Sequence, residues 1–340
     1  MDERVDLNIP RWNQAHYSGR VRYFFATTNP LNILKSNFEL MKCKQIVTDY
    51  NNGGNIPDGL TIDDIYKAKI VVDSAFHPDT GEKMNIFGRM SAQVPMNMLI
   101  TYGMVSFYKS TIALIFWQWF NQSYNALVNY TNRSGNIPIS FDQILKSYIL
   151  TTSAALITAV GLNRLIMNLP PICERFVPFV AAVVAHCINI PLMRIKELQN
   201  GIAVYDENKK FLGNSKIASR RGILAVLISR ITVSSMGILL TPILMEIIGK
   251  SGITANMEWL QELIEMLLCG IIYALAIPIS CAIYPQISPI SIDKLEPELQ
   301  IQCLSSNAQY HQNDIGLFVH KHALADEDKY LVSNQYYDTC

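Results

Sequence analysis

Charge is scarce in this sequence, and it is scarcest in the middle. Of 340 residues only 16% are charged while 50% are hydrophobic, and mean hydropathy is +0.16. Residues 1–89 hold 22 of the 56 charged side chains, residues 293–340 hold 11, and the 203 residues between share 23. That gradient excludes a uniformly soluble domain and a disordered chain. Lys+Arg and Asp+Glu balance at 28 each, so no basic excess points to nucleic acid. Paired cysteines are also missing. The seven (Cys43, Cys173, Cys187, Cys269, Cys281, Cys303, Cys340) contain no CxxC pair, which excludes a zinc-ribbon spacing and a disulfide framework. They read as buried thiols in a reducing or membrane setting, and Cys340 makes no CaaX box. No Gly-rich phosphate loop, dinucleotide fingerprint or nucleophile–base constellation appears, so nothing points to an enzyme or a cofactor. The opening Met1-Asp2-Glu3-Arg4-Val5-Asp6 is acidic and has no apolar core. It is neither a secretory signal nor an Arg-rich cleaved presequence.

What is present is a series of long charge-poor runs. Residues 147–166, 176–193, 222–245 and 266–286 each read as a membrane span, with Met266–Ile292 charge-free over 27 residues. The stretch 93–130 admits two readings: one span near 98–120, or two helices broken at Lys109-Ser110-Thr111. The expected fold is an all-α polytopic membrane protein of about five spans (four to six). Three parts follow: a soluble helical region at 1–89, a transmembrane domain at 90–292 and a soluble tail at 293–340. In the first part, Ile33–Tyr50 and Ile62–Phe76 are predicted helices, the second capped by Thr61 with Asp63 and Asp64 in its first turn. The loop Arg194–Arg221 holds seven basic and three acidic residues. Ile202–Tyr205 and Lys210–Leu212 flank its turn and predict a small β-hairpin. The basic excess assigns it to the negative side of its membrane. That is the side of residues 1–89 with six spans and the opposite side with five. No repeat is evident.

The segment Phe116–Arg133 is aromatic, then rich in amides, with no charge before Arg133. On a helix Asn121, Asn125, Asn129 and Asn132 share one face, with Gln118 and Gln122 beside it and Trp117 at its aromatic end. Amides give donors and acceptors without the cost of a buried charge. The stripe either binds the polar ends of a small zwitterion at membrane depth or ties helices together. Three N-x-S/T sequons here are incidental to it. Arg230 lies in an otherwise apolar span and must face a cavity or a partner. It either meets a substrate carboxylate, pairs with Glu174 or Glu246, or snorkels. His186 and Asn189 sit between Pro178 and Pro191, whose ring nitrogens would free backbone carbonyls as in the broken helices of transporters. His77-Pro78-Asp79-Thr80-Gly81-Glu82 clusters metal- and phosphate-binding types, but its Pro and Gly already account for a structural turn. The irregular tail histidines (His311, His320, His322) make no metal site.

Several segments together resemble the sideroflexin family over roughly residues 8–300. They are Asn8-Ile9-Pro10-Arg11-Trp12, His77–Met84, Gly88–Met98, the amide helix, Arg175–Phe179, Asn189–Arg194 and Leu295-Glu296-Pro297-Glu298-Leu299. Ser91–Met98 and Asn132–Gly135 are most similar to the branch containing sideroflexins one and three. The resemblance implies a mitochondrial inner-membrane protein of about five spans without a cleaved presequence. It implies a carrier of serine into the matrix for one-carbon metabolism, with alanine, glycine and cysteine as further substrates. Other branches are linked to citrate, to iron and haem homeostasis, or to assembly of respiratory complexes. A non-transporting scaffold, a homo-oligomer or a larger mitochondrial membrane complex therefore stands beside the carrier reading. The family usually has proline where this chain has Ile112 and Met236, asparagine where it has His186, and a different ending. Loss of two bending prolines predicts altered gating.

Overall fold

The computed structural model describes residues 5–7, 9–53, 59–77, 80–132, 140–165, 176–205, 211–251, 257–285, 287–291, 294–301 and 329–333. Ten α-helices are described: α1 Tyr17–Thr27, α2 Asn37–Asn51, α3 Ile62–Ala75, α4 Gln93–Ser106, α5 Thr111–Thr131, α6 Phe141–Leu165, α7 Val177–Met193, α8 Ile195–Asn200, α9 Lys216–Lys250 and α10 Glu258–Cys281. Helices α6, α9 and the Trp259–Cys281 part of α10 are long and apolar enough to cross a membrane, and α7 is apolar but shorter. Helix α5, at 21 residues, rises about 30 Å, and its amide face lowers its hydropathy. These five elements make the expected polytopic α-helical membrane fold.

The ambiguous stretch resolves as two helices. Helix α4 ends at Ser106, and Ser110 starts α5 by accepting the Ala113 amide at 3.4 Å. Helix α7 is continuous. Pro178 lies in its first turn, where the missing N–H has no helical partner, so only Pro191 frees a carbonyl, and the broken-helix expectation does not hold. Ile112 also lies in a first turn and is 82% exposed. A proline there would not bend α5; Met236 is inside α9, which is continuous from Lys216 to Lys250.

The two predicted helices of the first part form, each closed by a reciprocal capping box: Ser36 with Glu39 on α2, Thr61 with Asp64 on α3. Helix α2 begins four residues later than predicted, because Pro30–Leu34 forms a separate 3-10 turn before Ser36. Helix α1 was not anticipated. It lies against the end of α10, where the buried Arg20 donates to the carbonyls of Ala282 (2.8 Å), Gln14 (2.9 Å), Ala15 (3.0 Å) and Ile283 (3.4 Å). The guanidinium fork thus fills the orphan acceptors at a helix C-terminus.

The predicted hairpin is present as β1 Ile202–Tyr205 paired antiparallel with β2 Phe211–Ser215. Two further strands, β3 Ile287–Ser291 and β4 Lys329–Ser333, extend it to a four-stranded sheet ordered β2-β1-β4-β3. Val204, Leu212, Ile290, Leu295 and Leu299 pack into one cluster with Ala218 of α9. The Leu295–Leu299 segment carries Glu296, whose Oε1 accepts the Lys216 and Ile217 amides at 2.7 and 2.9 Å. It is an N-cap supplied from 80 residues away in sequence. Burial alone would raise the Glu296 pKa. The Ile217 amide, the Ser215 hydroxyl and the Lys216 amide outweigh it and hold the carboxyl below its usual range.

Two predictions follow from these closures. Arg20→Met should cost about 2–4 kcal/mol and Arg20→Lys somewhat less, since one ammonium cannot serve four acceptors; thermal unfolding in detergent measures both. A lowered carboxyl pKa contributes stability that is complete above the unfolded value of about 4.3 and is lost as pH falls through the folded value. The melting temperature of wild type should therefore exceed that of Glu296→Gln by a constant margin from pH 7 to about pH 5, and the gap should close below about pH 4.

Candidate functional site

Helices α4, α5, α7, α9 and α10 surround a small central cavity of about 40 Å³. Its apolar floor is the cluster of Ile100, Met104, Tyr124, Val128, Ala182 and Ile238. Two close helix approaches shape it. Gly103 admits the Trp117 ring where a Cβ would sit 2.0 Å from it, and Gly237 admits the Tyr273 ring at 2.2 Å. The polar lining comes from every surrounding helix: Gln93, Asn97 and Thr101 from α4, Asn121, Tyr124 and Asn125 from α5, His186 from α7, Arg230 and Ser234 from α9, and Tyr273 from α10.

The hydrogen bonds sort this lining. Thr101 Oγ1 and Tyr273 OH lie 2.6 Å apart, and His186 Nε2 lies 3.0 Å from Ser234 Oγ. Asn97 Nδ2 donates back to the Gln93 carbonyl at 2.7 Å, which leaves its amide oxygen for the cavity. Arg230 Nη1 donates to Asn125 Oδ1 at a long 3.5 Å. The Tyr124 hydroxyl is buried and makes no hydrogen bond among the described residues. A buried hydroxyl without a partner is costly unless something else occupies the site. Among the described residues Arg230 is the one charged side chain of the lining.

The amide stripe therefore divides. Asn121 and Asn125 face the cavity. Asn129 does not: its Nδ2 donates to Asn189 Oδ1 at 3.0 Å, and Asn189 Nδ2 reaches Ser147 Oγ at 3.4 Å, lacing α5, α7 and α6 together. Asn132 Nδ2 donates to the Gly88 carbonyl at 3.2 Å. Gln118 is fully buried and donates to the Pro178 carbonyl at 3.4 Å. Gln122 is buried outside the cavity lining, its Nε2 without a hydrogen-bond partner among the described residues, and Trp117 packs beneath the lining rather than in it. Of the three sequons, Asn121, Asn129 and Asn132 are all buried.

His186 and Arg230 are thus brought to the cavity beside Asn121 and Asn125, whereas Asn189 meets the stripe at Asn129, outside the lining. Glu246 pairs with Lys250, one turn on along α9; Glu174 lies outside the described residues, as do Arg133, Pro78, Asp79 and the tail histidines. The His77 turn is closed by its backbone: Gly81 N donates to the His77 carbonyl and His77 N to the Glu82 carbonyl, both at 2.8 Å, with Gly81 at φ +65°. His77 Nδ1 accepts the Thr80 amide at 3.3 Å, and Glu82 points to solvent. No group of ligands that could hold a metal exists among the described residues. The sequence reading missed the α4 side of the cavity. Gln93, Asn97 and Thr101 recur at i, i+4 and i+8 in an uncharged helix, the same signal that marked α5.

Residues 6–315 match the model of the family described as Sideroflexins. The chain belongs to the sideroflexin family. It is 48% identical over 297 residues to Sideroflexin-1-3 of Drosophila melanogaster, covering 87% of this chain and 92% of that one. It is 45% identical over 305 residues to Sideroflexin-1 of Homo sapiens (90% and 94%) and 47% identical over 305 residues to Sideroflexin-3 of Bos taurus (89% and 95%). No solved structure matches the chain. The similarity to relatives numbered one and three agrees with the branch that Ser91–Met98 and Asn132–Gly135 resemble.

The division of this sideroflexin's stripe is testable by stability alone. Asn129→Ala removes a bond between helices and strips Asn189 of a donor, so it should lower stability by about 1 kcal/mol. Asn121→Ala removes no hydrogen bond among the described residues and should cost less than half as much. Thermal unfolding of both purified variants provides the comparison.

Proposed function

We propose that this sideroflexin carries small neutral amino acids, serine among them, across the mitochondrial inner membrane, and that the central cavity is where they bind. The observation that carries this reading is the balance of groups among the described residues of the lining: one guanidinium, one imidazole, several amides and hydroxyls, and no carboxylate. A zwitterion needs such a set. Its carboxylate goes to Arg230, its ammonium to the amide oxygens of Asn97, Asn121 and Asn125, and a side-chain hydroxyl or methyl to the Tyr124 end. Nothing in the lining demands a metal or a cofactor.

Charge separates this cargo from citrate. A tricarboxylate would bring about three negative charges to a single cation in a low-dielectric bundle, and the uncompensated charge would cost several kcal/mol. Size points the same way. About 40 Å³ is room for little more than a water molecule or two, so the cavity must widen to take an amino acid. Cargo enters only as the helices part, and a small amino acid asks the least of that motion.

A second reading, a membrane scaffold without transport, is favoured by one observation, the Asn129–Asn189–Ser147 ladder that ties three helices. Liposomes holding the purified protein decide between them. Competable uptake of labelled serine and alanine, with citrate excluded, is the expected result. Asn125→Ala should reduce serine uptake about tenfold while the protein still accumulates and melts normally, and Arg230→Gln should reduce it further. Folded protein that moves none of the three solutes would leave the scaffold reading in possession. Normal uptake by both variants would remove the cavity as the binding site.

A further inference from the structure

A second and much larger cavity, about 350 Å³, lies in the N-terminal region between the Ile9–Trp12 segment, α1, α2, α3 and the His77 turn. The central site makes no use of it. Its volume falls in the range of small-molecule pockets. Trp12, Tyr66 and Phe76 are among the aromatic rings in its walls, and Arg11, Lys44 and Lys69 bring cations to it against one carboxylate among the described residues, Asp73.

These charges are unequally engaged. Lys69 and Asp73 pair with each other. Arg11 pairs with Asp63 at 2.8 Å and lies 5.7 Å from the centre of the Tyr66 ring and 6.0 Å from that of Trp12. Lys44 Nζ donates to the Gly81 carbonyl at 2.6 Å and sits 4.9 Å above Phe76; no carboxylate pairs with it among the described residues. A neutral carbonyl and a ring face hold an ammonium in place without neutralising it. The lining therefore keeps a net positive charge beside flat apolar walls. The wall also includes Asn132, so an occupant would touch the end of α5, the helix that lines the central cavity.

We propose that this cavity binds a small organic phosphate with a flat ring, of the size of a nucleoside monophosphate. The phosphate meets Lys44 and Arg11, and the ring lies against Trp12 and Tyr66. Lys44 acts as a point charge on the phosphate, and the aromatic faces supply stacking that is indifferent to the identity of the ring.

Isothermal titration of the full-length protein in detergent with adenosine monophosphate tests this, with adenosine and inorganic phosphate as the two halves of the probe. Saturable binding of adenosine monophosphate is expected, with each half at least tenfold weaker. Lys44→Gln should weaken binding about tenfold and Trp12→Leu several-fold. Lys44→Arg, which keeps the cation and a donor to Gly81, should retain binding and shows that a loss in Lys44→Gln is not a loss of fold. Absence of saturable binding overturns the proposal. So does binding untouched by both Lys44→Gln and Trp12→Leu, and so does inorganic phosphate binding as tightly as the nucleotide, which would leave the aromatic walls no part.

Discussion

The charge of Arg230 inside α9 is the constraint around which the bundle is arranged. A guanidinium at membrane depth costs several kcal/mol unless protein groups solvate it. Helix α9 offers it no amide or carboxylate along its middle, only the hydroxyls of Ser229, Thr232, Ser234 and Ser235. The polar faces of α4, α5 and α7 turn inward toward it, and their apolar faces turn outward. Ile112, Ile149, Ile157, Leu224, Ile247 and Ile271 are all exposed on the outer surface. That inversion of the soluble pattern is what lipid requires, since the backbone is satisfied within each helix and only side chains remain to be sorted.

The same requirement explains how the ends of the chain attach. A helix terminus leaves several backbone groups without partners, and near lipid there is little water to serve them. Arg20 answers the carbonyls at the end of α10, and Glu296 answers the amides at the start of α9. One comes from before the bundle and the other from after it. Each is a single side chain whose charge matches the helix end it meets. The Glu296 segment then places Leu295 and Leu299 under the sheet, so one cap fixes both a helix and a small core.

Helix content, the charge-poor spans, the hairpin and the Thr61 cap were legible because each rests on a short-range pattern. Periodicity and capping need only neighbours in sequence. Strands β3 and β4 were not legible, for their pairing partners lie far along the chain and Ile287–Ser291 reads as the continuation of an apolar run. The site was half legible. Spacing placed Asn121, Asn125 and Asn129 on one face, but a face of a helix spans more than one neighbour. Asn129 lies one turn beyond Asn125 and meets α7 instead of the cavity. Gln93, Asn97 and Thr101 carried the same periodic signal in a segment read for its apolar length and its resemblance, not for its polar face. Which helices meet is a property of packing, and no local pattern reports it.

Packing also bears on how so small a cavity could admit cargo. Under the carrier reading the helices around it must move apart. Proline lacks the N–H that its i−4 carbonyl would receive, so a helix bends most readily there. Pro191 in α7, Pro242 in α9 and Pro278 in α10 withhold that bond from the carbonyls of Cys187, Ile238 and Ala274. Each of these is a cavity-lining residue or follows one: His186 precedes Cys187, Ile238 itself lines the cavity, and Tyr273 precedes Ala274. Three of the five surrounding helices are thus weakest within one residue of the site. Helices α4 and α5 supply the amides; the proline of α4, Pro95, lies in the first turn, where no helical bond is lost, and α5 has none, so their polar faces stay aligned. The division places rigidity where the cargo would be recognised and compliance where it would enter.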